Sequence, residues 1–223
     1  MTIYRGRVAI LWRVLMAFFC ISFLTNAQDR QRPFIWVEQG NRSKILEKID
    51  SNSWAKDYYI DFKARTDKEV STYNTSQQDF LRKIPLDWEG DREEGNFPTF
   101  QTITDFGNSR GRSVILEYLQ IGIDCGVLYF LTQDEAYAQV ATDILYTFVM
   151  GLDRLEPSQN VSNGGWIYPK DHLREAREIG AQLPIIYDFI APYLKTGGQA
   201  YDVVSESQVP FPIESAQQVF LTY

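Results

Sequence analysis

The chain has 223 residues and is acidic, with 29 Asp and Glu residues against 22 Lys and Arg residues and a formal net charge of −7. This balance excludes a nucleic acid as its natural partner, because binding a phosphate backbone needs a basic surface, although a local basic cluster can still act on an anionic polysaccharide within a screening length of about 10 Å. A single histidine excludes a multi-histidine metal site, and no cofactor is identifiable from the motifs of the chain.

Residues 1–27 have the pattern of a secretory signal peptide: a basic start, an apolar run over residues 14–24, and Ala27 as the cleavage position. The run is too short for a bilayer, which needs about 20 residues. We therefore expect a periplasmic or secreted bacterial protein that does not span a membrane after cleavage. The mature chain, residues 28–223, would keep only Cys125 and would fold without an internal disulfide.

The segment after the leader has helical periodicity. Ser43 is the predicted N-cap of a short helix, and Ser53 is predicted to start a second one. The second helix carries an aromatic stripe of Trp54, Tyr58 and Phe62. Residues 77–84 form a weaker third candidate. Between residues 85 and 110 the pattern is lost, and because a loop of this length is often functional, we expect it to form a wall of a binding cleft.

The centre of the chain predicts a helical hairpin with a break at residues 132–134. Apolar residues step by three and four on both sides of the break, at Val114, Tyr118, Ile121, Cys125 and Leu128 and then at Tyr137, Ala141, Ile144 and Phe148. Asp134 is the predicted N-cap of the second helix and Gly151 its terminator. Small residues are expected to let the two helices approach closely, namely Gly122, Gly126, Ala138 and Ala141.

The stretch GGWIYPKDHLREAREIGAQLPIIYDFIAPYL, from Gly164 to Leu194, joins an aromatic loop to an amphipathic helix that is predicted to begin at Asp171 and to kink at Pro184. Aromatic faces stack on sugar rings, while charged and imidazole groups bind polar substituents. The substrate-binding candidates are Trp166, Tyr168, His172, Arg174 and Glu175. The position of His172 in the first helical turn would favour a neutral imidazole and an anionic ligand nearby. The alternative is an ordinary loop that covers the end of a core helix.

The fold class predicted from these patterns is all-α, a series of antiparallel helical pairs with one or two short strands at most. No stretch alternates with period two for long enough to predict a larger sheet. The last residues, 213–223, have helical spacing but no signal for a helix end, from which we expect the chain to be truncated within a longer protein.

Three phrases resemble exported polysaccharide lyases of the heparinase II/III and alginate lyase type. In RPFIWVEQGNRSKILEKIDSNSWAKDYY, the matching residues are Pro33, Ile45, Ile49, Trp54, Ala55 and Lys56. YFLTQDEAYAQVATDILYTFV is similar to a unit repeated in toroids of paired helices, including those of hydrolases, and has Gln133 where glycine is usual. The phrase from Gly164 to Leu194 is the most specific match.

The resemblance implies that residues 28–223 form the N-terminal part of an (α/α) toroid, an incomplete ring of antiparallel helical hairpins. Such lyases cleave uronic-acid polysaccharides by β-elimination, so an anionic polysaccharide is the expected partner. The resemblance places the catalytic Asn, His and Tyr positions beyond Tyr223, and no catalytic residue is assigned to this segment. The segment alone is expected to expose apolar helix faces, to be poorly soluble and to be inactive.

Two other classes of protein stay open. A toroid glycoside hydrolase acting on acidic oligosaccharides would need two carboxylates facing each other across a cleft. A non-enzymatic periplasmic glycan-binding protein would bind a polysaccharide without forming an unsaturated product. The sequence does not select one uronic-acid polysaccharide over another.

Overall fold

The computed structural model describes residues 31–89, 96–105, 109–159 and 163–222, and the predicted signal peptide lies outside these ranges. The helices are α1 (Arg42–Ser51), α2 (Ser53–Thr75), α3 (Gln77–Leu81), α4 (Arg110–Thr132), α5 (Glu135–Leu152), α6 (His172–Glu175), α7 (Leu183–Lys195) and α8 (Ile213–Thr222). Two short antiparallel strands, β1 (Gln199–Asp202) and β2 (Ser207–Pro210), form a hairpin between α7 and α8. The all-α prediction is confirmed for the described residues.

The predicted hairpin is present as α4 and α5. Ser109 caps α4 by accepting a hydrogen bond from the Arg112 N–H at 3.2 Å. Gln133 ends the helix in the left-handed conformation, with φ of 62°, a position that favours glycine, and its side-chain amide donates to two carbonyls of the last turn. Asp134 then caps α5 through the Ala136 N–H at 3.0 Å, as predicted.

Helix α5 lies at the centre of the core. Its apolar side chains are buried on nearly every face, including Ile144, Leu145 and Phe148 at 0 % exposure, because α4, α7, β1 and α8 all pack around it. Helix α4 has the length and apolar composition of a membrane span, alone among the helices of the described residues, and about two thirds of its apolar window is buried in this core. Burial on this scale is typical of a core helix.

The small residues of α4 have a different partner from the one predicted. A Cβ on Gly122 would lie 2.8 Å from Ile186 Cδ1, and a Cβ on Gly126 would lie 2.8 Å from Phe189 Cβ. Both neighbours belong to α7. At Gly126 the close approach is therefore between α4 and α7, and the prediction that this glycine serves the α4 and α5 contact is wrong. A Cβ on Gly122 would also lie 3.5 Å from Ile144 Cγ2 of α5.

Replacing Gly126 by alanine is expected to lower the free energy of unfolding by about 1–3 kcal/mol, because α7 must move to admit the new methyl group. Gly111→Ala in the same helix is the matched control. Its Cβ would meet ordinary contacts at 3.5 Å or more, and alanine favours the helix, so this variant should be unchanged or more stable. Denaturant unfolding of both variants checks the prediction, and equal losses would contradict it.

The loop between residues 85 and 110 packs into the core where the structure describes it. Leu86 and Phe100 form an isolated antiparallel bridge, and both side chains are buried. The Phe100 ring packs on Gly151, where a Cβ would approach to 2.9 Å. Helix α5 continues to Leu152, so the prediction that Gly151 terminates it is wrong, and the glycine instead provides room for a loop aromatic.

The same loop also borders a cavity of about 580 Å³ between α2 and α4, where Pro85 and Gln101 line one side. That this loop forms a wall of a binding cleft stays a prediction, because a cavity alone does not identify a ligand.

The N-terminal pair α1 and α2 begins close to the predicted positions. Asn41, not Ser43, is at the N-cap position of α1, and α2 starts at Ser53. The aromatic stripe of α2 lies largely on the surface, since Trp54 is 74 % and Tyr58 is 66 % exposed. The Tyr58 and Phe62 rings stack with an interplanar angle of 8°. An exposed apolar helix face is thus present on the N-terminal half of α2.

The segment before α1 is fixed by a carboxylate far along the chain. Asp188 of α7 is 1 % exposed, and its Oδ1 accepts a hydrogen bond from Arg32 Nη1 at 2.6 Å. Its Oδ2 accepts from the N–H groups of Phe34 and Ile35 at 2.7 and 2.8 Å. Arg42 adds a second link, because its guanidinium donates to the last carbonyls of α4. The N-terminal segment is therefore part of the packed unit.

Candidate functional site

The aromatic loop that precedes α6 is held by backbone hydrogen bonds on both sides. The Ile103 N–H donates to the Ile167 carbonyl at 2.8 Å, and the Ser158 N–H donates to the Gly165 carbonyl at 3.0 Å. Within the loop, the Gly165 N–H donates to the Tyr168 carbonyl at 3.0 Å. The chain from Gly165 to Tyr168 therefore forms a tight turn tied to its surroundings.

The helix after this loop is not continuous, and the prediction of one helix kinked at Pro184 is wrong. Asp171 caps α6 through the Arg174 N–H at 3.0 Å, but α6 ends at Glu175 and a π-helical turn, Ala176–Gly180, follows it. Helix α7 starts afresh at Leu183, and Pro184 lies in its first turn, where a missing N–H costs no hydrogen bond.

Glu175 is completely buried beneath the loop. Its two carboxylate oxygens accept hydrogen bonds from the N–H groups of Trp166 at 3.2 Å, Ile167 at 3.1 Å and Tyr168 at 2.7 Å. These three donors are consecutive in the chain and turn toward the same anion, an arrangement that backbone N–H groups adopt around anions in general. The structure thus gives Glu175 a role inside the loop rather than on its surface.

Tyr168 is also buried, at 0 % exposure, and its hydroxyl donates to Glu178 Oε2 at 3.1 Å. The Arg112 guanidinium of α4 binds both oxygens of Glu178, at 2.8 and 2.7 Å. This arginine lowers the pKa of Glu178, while burial raises the pKa of Tyr168 well above its usual range. Tyr168 is accordingly a protonated hydrogen-bond donor here, and its ring faces the core.

The other three predicted residues are each partly exposed. The Trp166 ring is half-buried and meets the His172 ring edge to face, with centroids 5.2 Å apart. Arg174 lies beside Asp171, with 3.3 Å between Nε and Oδ2, and about a third of its side chain is exposed. The Trp166 and His172 rings together can contact a sugar ring, and a partly exposed guanidinium can bind a negatively charged substituent.

The structure therefore divides the five predicted residues into two groups. Trp166, His172 and Arg174 lie on the surface, and direct contact with a substrate stays a prediction for them. Tyr168 and Glu175 have their polar atoms bonded within the protein. Sequence reasoning missed Arg112, whose ion pair with Glu178 supports the site, since nothing in the periodicity of α4 distinguishes this arginine from a solvated one.

No group of three or more His, Cys, Asp or Glu side chains is arranged to hold a metal ion in the parts of the chain that the structure describes. Carboxylates near the site are already bonded, Glu175 to backbone N–H groups and Glu178 to Arg112. The described residues do offer an aromatic face and a basic group for the recognition of a ligand.

Comparison with known proteins links the chain to a lyase. It is 29 % identical over 212 residues to an endo-acting ulvan lyase of Formosa agariphila, an alignment that covers 93 % of this chain and 23 % of the relative. The chain thus spans about a quarter of the length of that protein. No protein-family model matches the chain, and no solved structure matches it.

Proposed function

We propose that this chain is the N-terminal helical part of an exported polysaccharide lyase that depolymerises an anionic, uronic-acid-containing polysaccharide by β-elimination. The observation that carries the proposal is the similarity to an endo-acting ulvan lyase over 93 % of this chain. The helical fold fits it, with α1 and α2 and then α4 and α5 as successive antiparallel pairs of an (α/α) toroid.

The reaction defines what this segment would contribute. β-Elimination needs a group that neutralises the uronate carboxylate, a base for the C5 proton, and a proton donor for the leaving oxygen at C4. We place these catalytic groups in the protein beyond this segment. Trp166, His172 and Arg174 would line one wall of the cleft and bind the sugar chain beside the reacting unit.

The test is an elimination assay on the protein at its full natural length, with ulvan, alginate, heparin, chondroitin and hyaluronan as substrates. Cleavage that creates a carbon–carbon double bond raises the ultraviolet absorbance, and we expect this rise with at least one uronic-acid polysaccharide and none with neutral glucans. The same assay on residues 28–223 alone should show no turnover.

Three other outcomes would contradict the proposal. New reducing ends without an increase in ultraviolet absorbance would indicate a glycoside hydrolase. Binding of these polysaccharides without any cleavage would indicate a glycan-binding protein. Neither binding nor cleavage of any of the five would exclude the proposed class of substrate.

A further inference from the structure

The carboxylate of Glu175 is buried and is bound by backbone N–H groups of the aromatic loop. Three consecutive backbone N–H groups, from Trp166 to Tyr168, donate to its two oxygens, and its side chain is 0 % exposed. Burying a carboxylate is costly unless hydrogen bonds replace its water. These donors replace the water, so the loop and Glu175 stabilise each other.

The glycines before the tryptophan are part of the same arrangement. A Cβ on Gly165 would lie 2.1 Å from Glu175 Oε2, and a Cβ on Gly164 would lie 2.2 Å from the Ser158 carbonyl oxygen. Both distances are far below contact distance, so no other residue fits at either position without moving the backbone. The chain passes directly over the carboxylate because glycine has no side chain there.

The bound loop determines where the tryptophan lies. Ile167 and Tyr168 both direct their side chains into the core at 0 % exposure, and Tyr168 is further fixed by its hydrogen bond to Glu178. Trp166, immediately before them, remains half-buried at the surface next to His172. Moving the Trp166 N–H away from Glu175 would change the direction of the indole ring.

We propose that Glu175 is a positioning residue that holds Trp166 beside His172, so that the indole face meets a sugar ring of the substrate. The ligand class in this proposal rests on the proposed function. Glu175 itself does not touch the substrate, because its oxygens face backbone N–H groups and have no solvent exposure. The effect of Glu175 on binding passes through the loop.

The experiment compares Glu175→Ala with the wild-type protein at full natural length. Removing the carboxylate leaves three N–H groups around a space of its size, which formate can fill. We expect hydrogen exchange at the Trp166, Ile167 and Tyr168 amides to become about tenfold faster or more. With ulvan as the probe we expect KM to rise about tenfold with little change in kcat, and added formate should restore both readouts.

Two further variants keep the test decisive. Gly165→Ala replaces Glu175→Ala if the latter folds poorly, because it pushes the loop off the carboxylate from the opposite side. It should raise the amide exchange rates and KM in the same way, but without rescue by formate. Ile144→Val, a core change remote from the loop, serves as the control for general destabilisation, and it should leave KM for ulvan unchanged.

Each outcome decides the positioning role. Faster exchange together with a raised KM and formate rescue supports it. Faster exchange with unchanged KM, or unchanged exchange, overturns it while leaving the lyase proposal intact. If the wild-type protein does not cleave ulvan or the other uronic-acid polysaccharides, the lyase proposal fails, and the exchange rates of the three amides with and without formate still show whether Glu175 holds the loop.

Discussion

Replacing Asp188 by alanine is expected to lower the free energy of unfolding by about 3 kcal/mol and to release the segment before α1. Removing one partner of a buried ion pair costs about 3–5 kcal/mol, because the remaining groups lose their partner without regaining water. The lower end applies here, since the Arg32 side chain is 30 % exposed and can reach solvent once the pair is broken.

Asp188→Ala should loosen the segment before α1 in addition to lowering the stability of the whole fold. Besides Arg32, the carboxylate binds the backbone N–H groups of Phe34 and Ile35. The neighbouring Trp36 ring packs edge to face on Phe189, with the ring centroids 6.2 Å apart. Without the carboxylate these N–H groups lose the acceptor that Asp188 provides on α7. We therefore expect their hydrogen exchange to accelerate more than that of the amides in α5.

Denaturant unfolding and hydrogen exchange of Asp188→Ala measure both effects. Asp188→Asn is the matched variant, because it keeps the volume and one accepting oxygen but not the charge, so it should lose roughly half as much stability. An alanine variant with wild-type stability, or one in which Phe34 and Ile35 exchange no faster than the core, would show that the anchor is not needed.

A second expected result concerns pH: the unfolding free energy of Asp143→Asn relative to the wild type should rise by about 2–2.5 kcal/mol, most of the full effect, between about pH 4 and pH 7. Asp143 lies on α5 at 0 % exposure, and burial raises its pKa from 3.8 to about 6, although hydrogen bonds from its neighbours act in the opposite direction. A difference of about two pKa units corresponds to about 3 kcal/mol.

The direction follows from proton binding. The folded protein holds the Asp143 proton up to about pH 6, whereas the unfolded chain releases it near 3.8. Between these values the folded state binds more protons, so this group makes the protein less stable as pH rises. The loss is complete above about pH 6, and an asparagine, which does not ionise, avoids it.

The hydrogen bonds around Asp143 reduce the gain in stability expected for Asp143→Asn at neutral pH without reversing it. It accepts hydrogen bonds from the Tyr73 hydroxyl of α2, from Gln139 Nε2 at 2.8 Å and from the Tyr201 N–H of β1 at 2.8 Å. Tyr193 of α7 joins this network through Gln139, at 2.7 Å. The amide of the asparagine must direct an N–H donor toward the Tyr73 hydroxyl, and this lowers the stability of the variant by a similar amount at every pH. The pH dependence is therefore a cleaner readout than the absolute stability.

Unfolding free energies of both proteins across this pH range test the expectation. Asp67→Asn is the control. Burial raises the pKa of the Asp67 carboxyl, but hydrogen bonds from Lys63 and Tyr137 together outweigh burial, so the pKa is lowered overall. Its contribution is lost only as pH falls below about 4, so its difference from the wild type should be flat between pH 4 and pH 7. A flat difference for Asp143→Asn as well would contradict the prediction.

The hairpin of α4 and α5 could be predicted because its apolar residues follow the helical period and Asp134 marks the break. The surface position of Trp54 could not, since the same spacing describes a buried and an exposed aromatic stripe. The break between α6 and α7 could not be predicted, because a π turn leaves no signal in the helical period.

The structural roles of the important carboxylates could not be predicted for a related reason. Acidic residues are solvated by default, and nothing along the chain shows that backbone N–H groups surround Glu175. A weaker signal was present at Asp188 and Asp143, each of which is a single acid in an apolar helical run, PIIYDFIAPYL and ATDILYTFV. An isolated charge on a core face predicts a buried partner, even though the sequence does not name that partner.

The link between Arg32 and Asp188 also fixes an order of events during synthesis. The two residues are 156 positions apart, and ribosomes add about 5–20 residues per second. Arg32 is therefore synthesised roughly 8–30 seconds before its acceptor. The first segment of the described fold to be synthesised is among the last to be locked, and until α7 forms it stays accessible to chaperones and proteases.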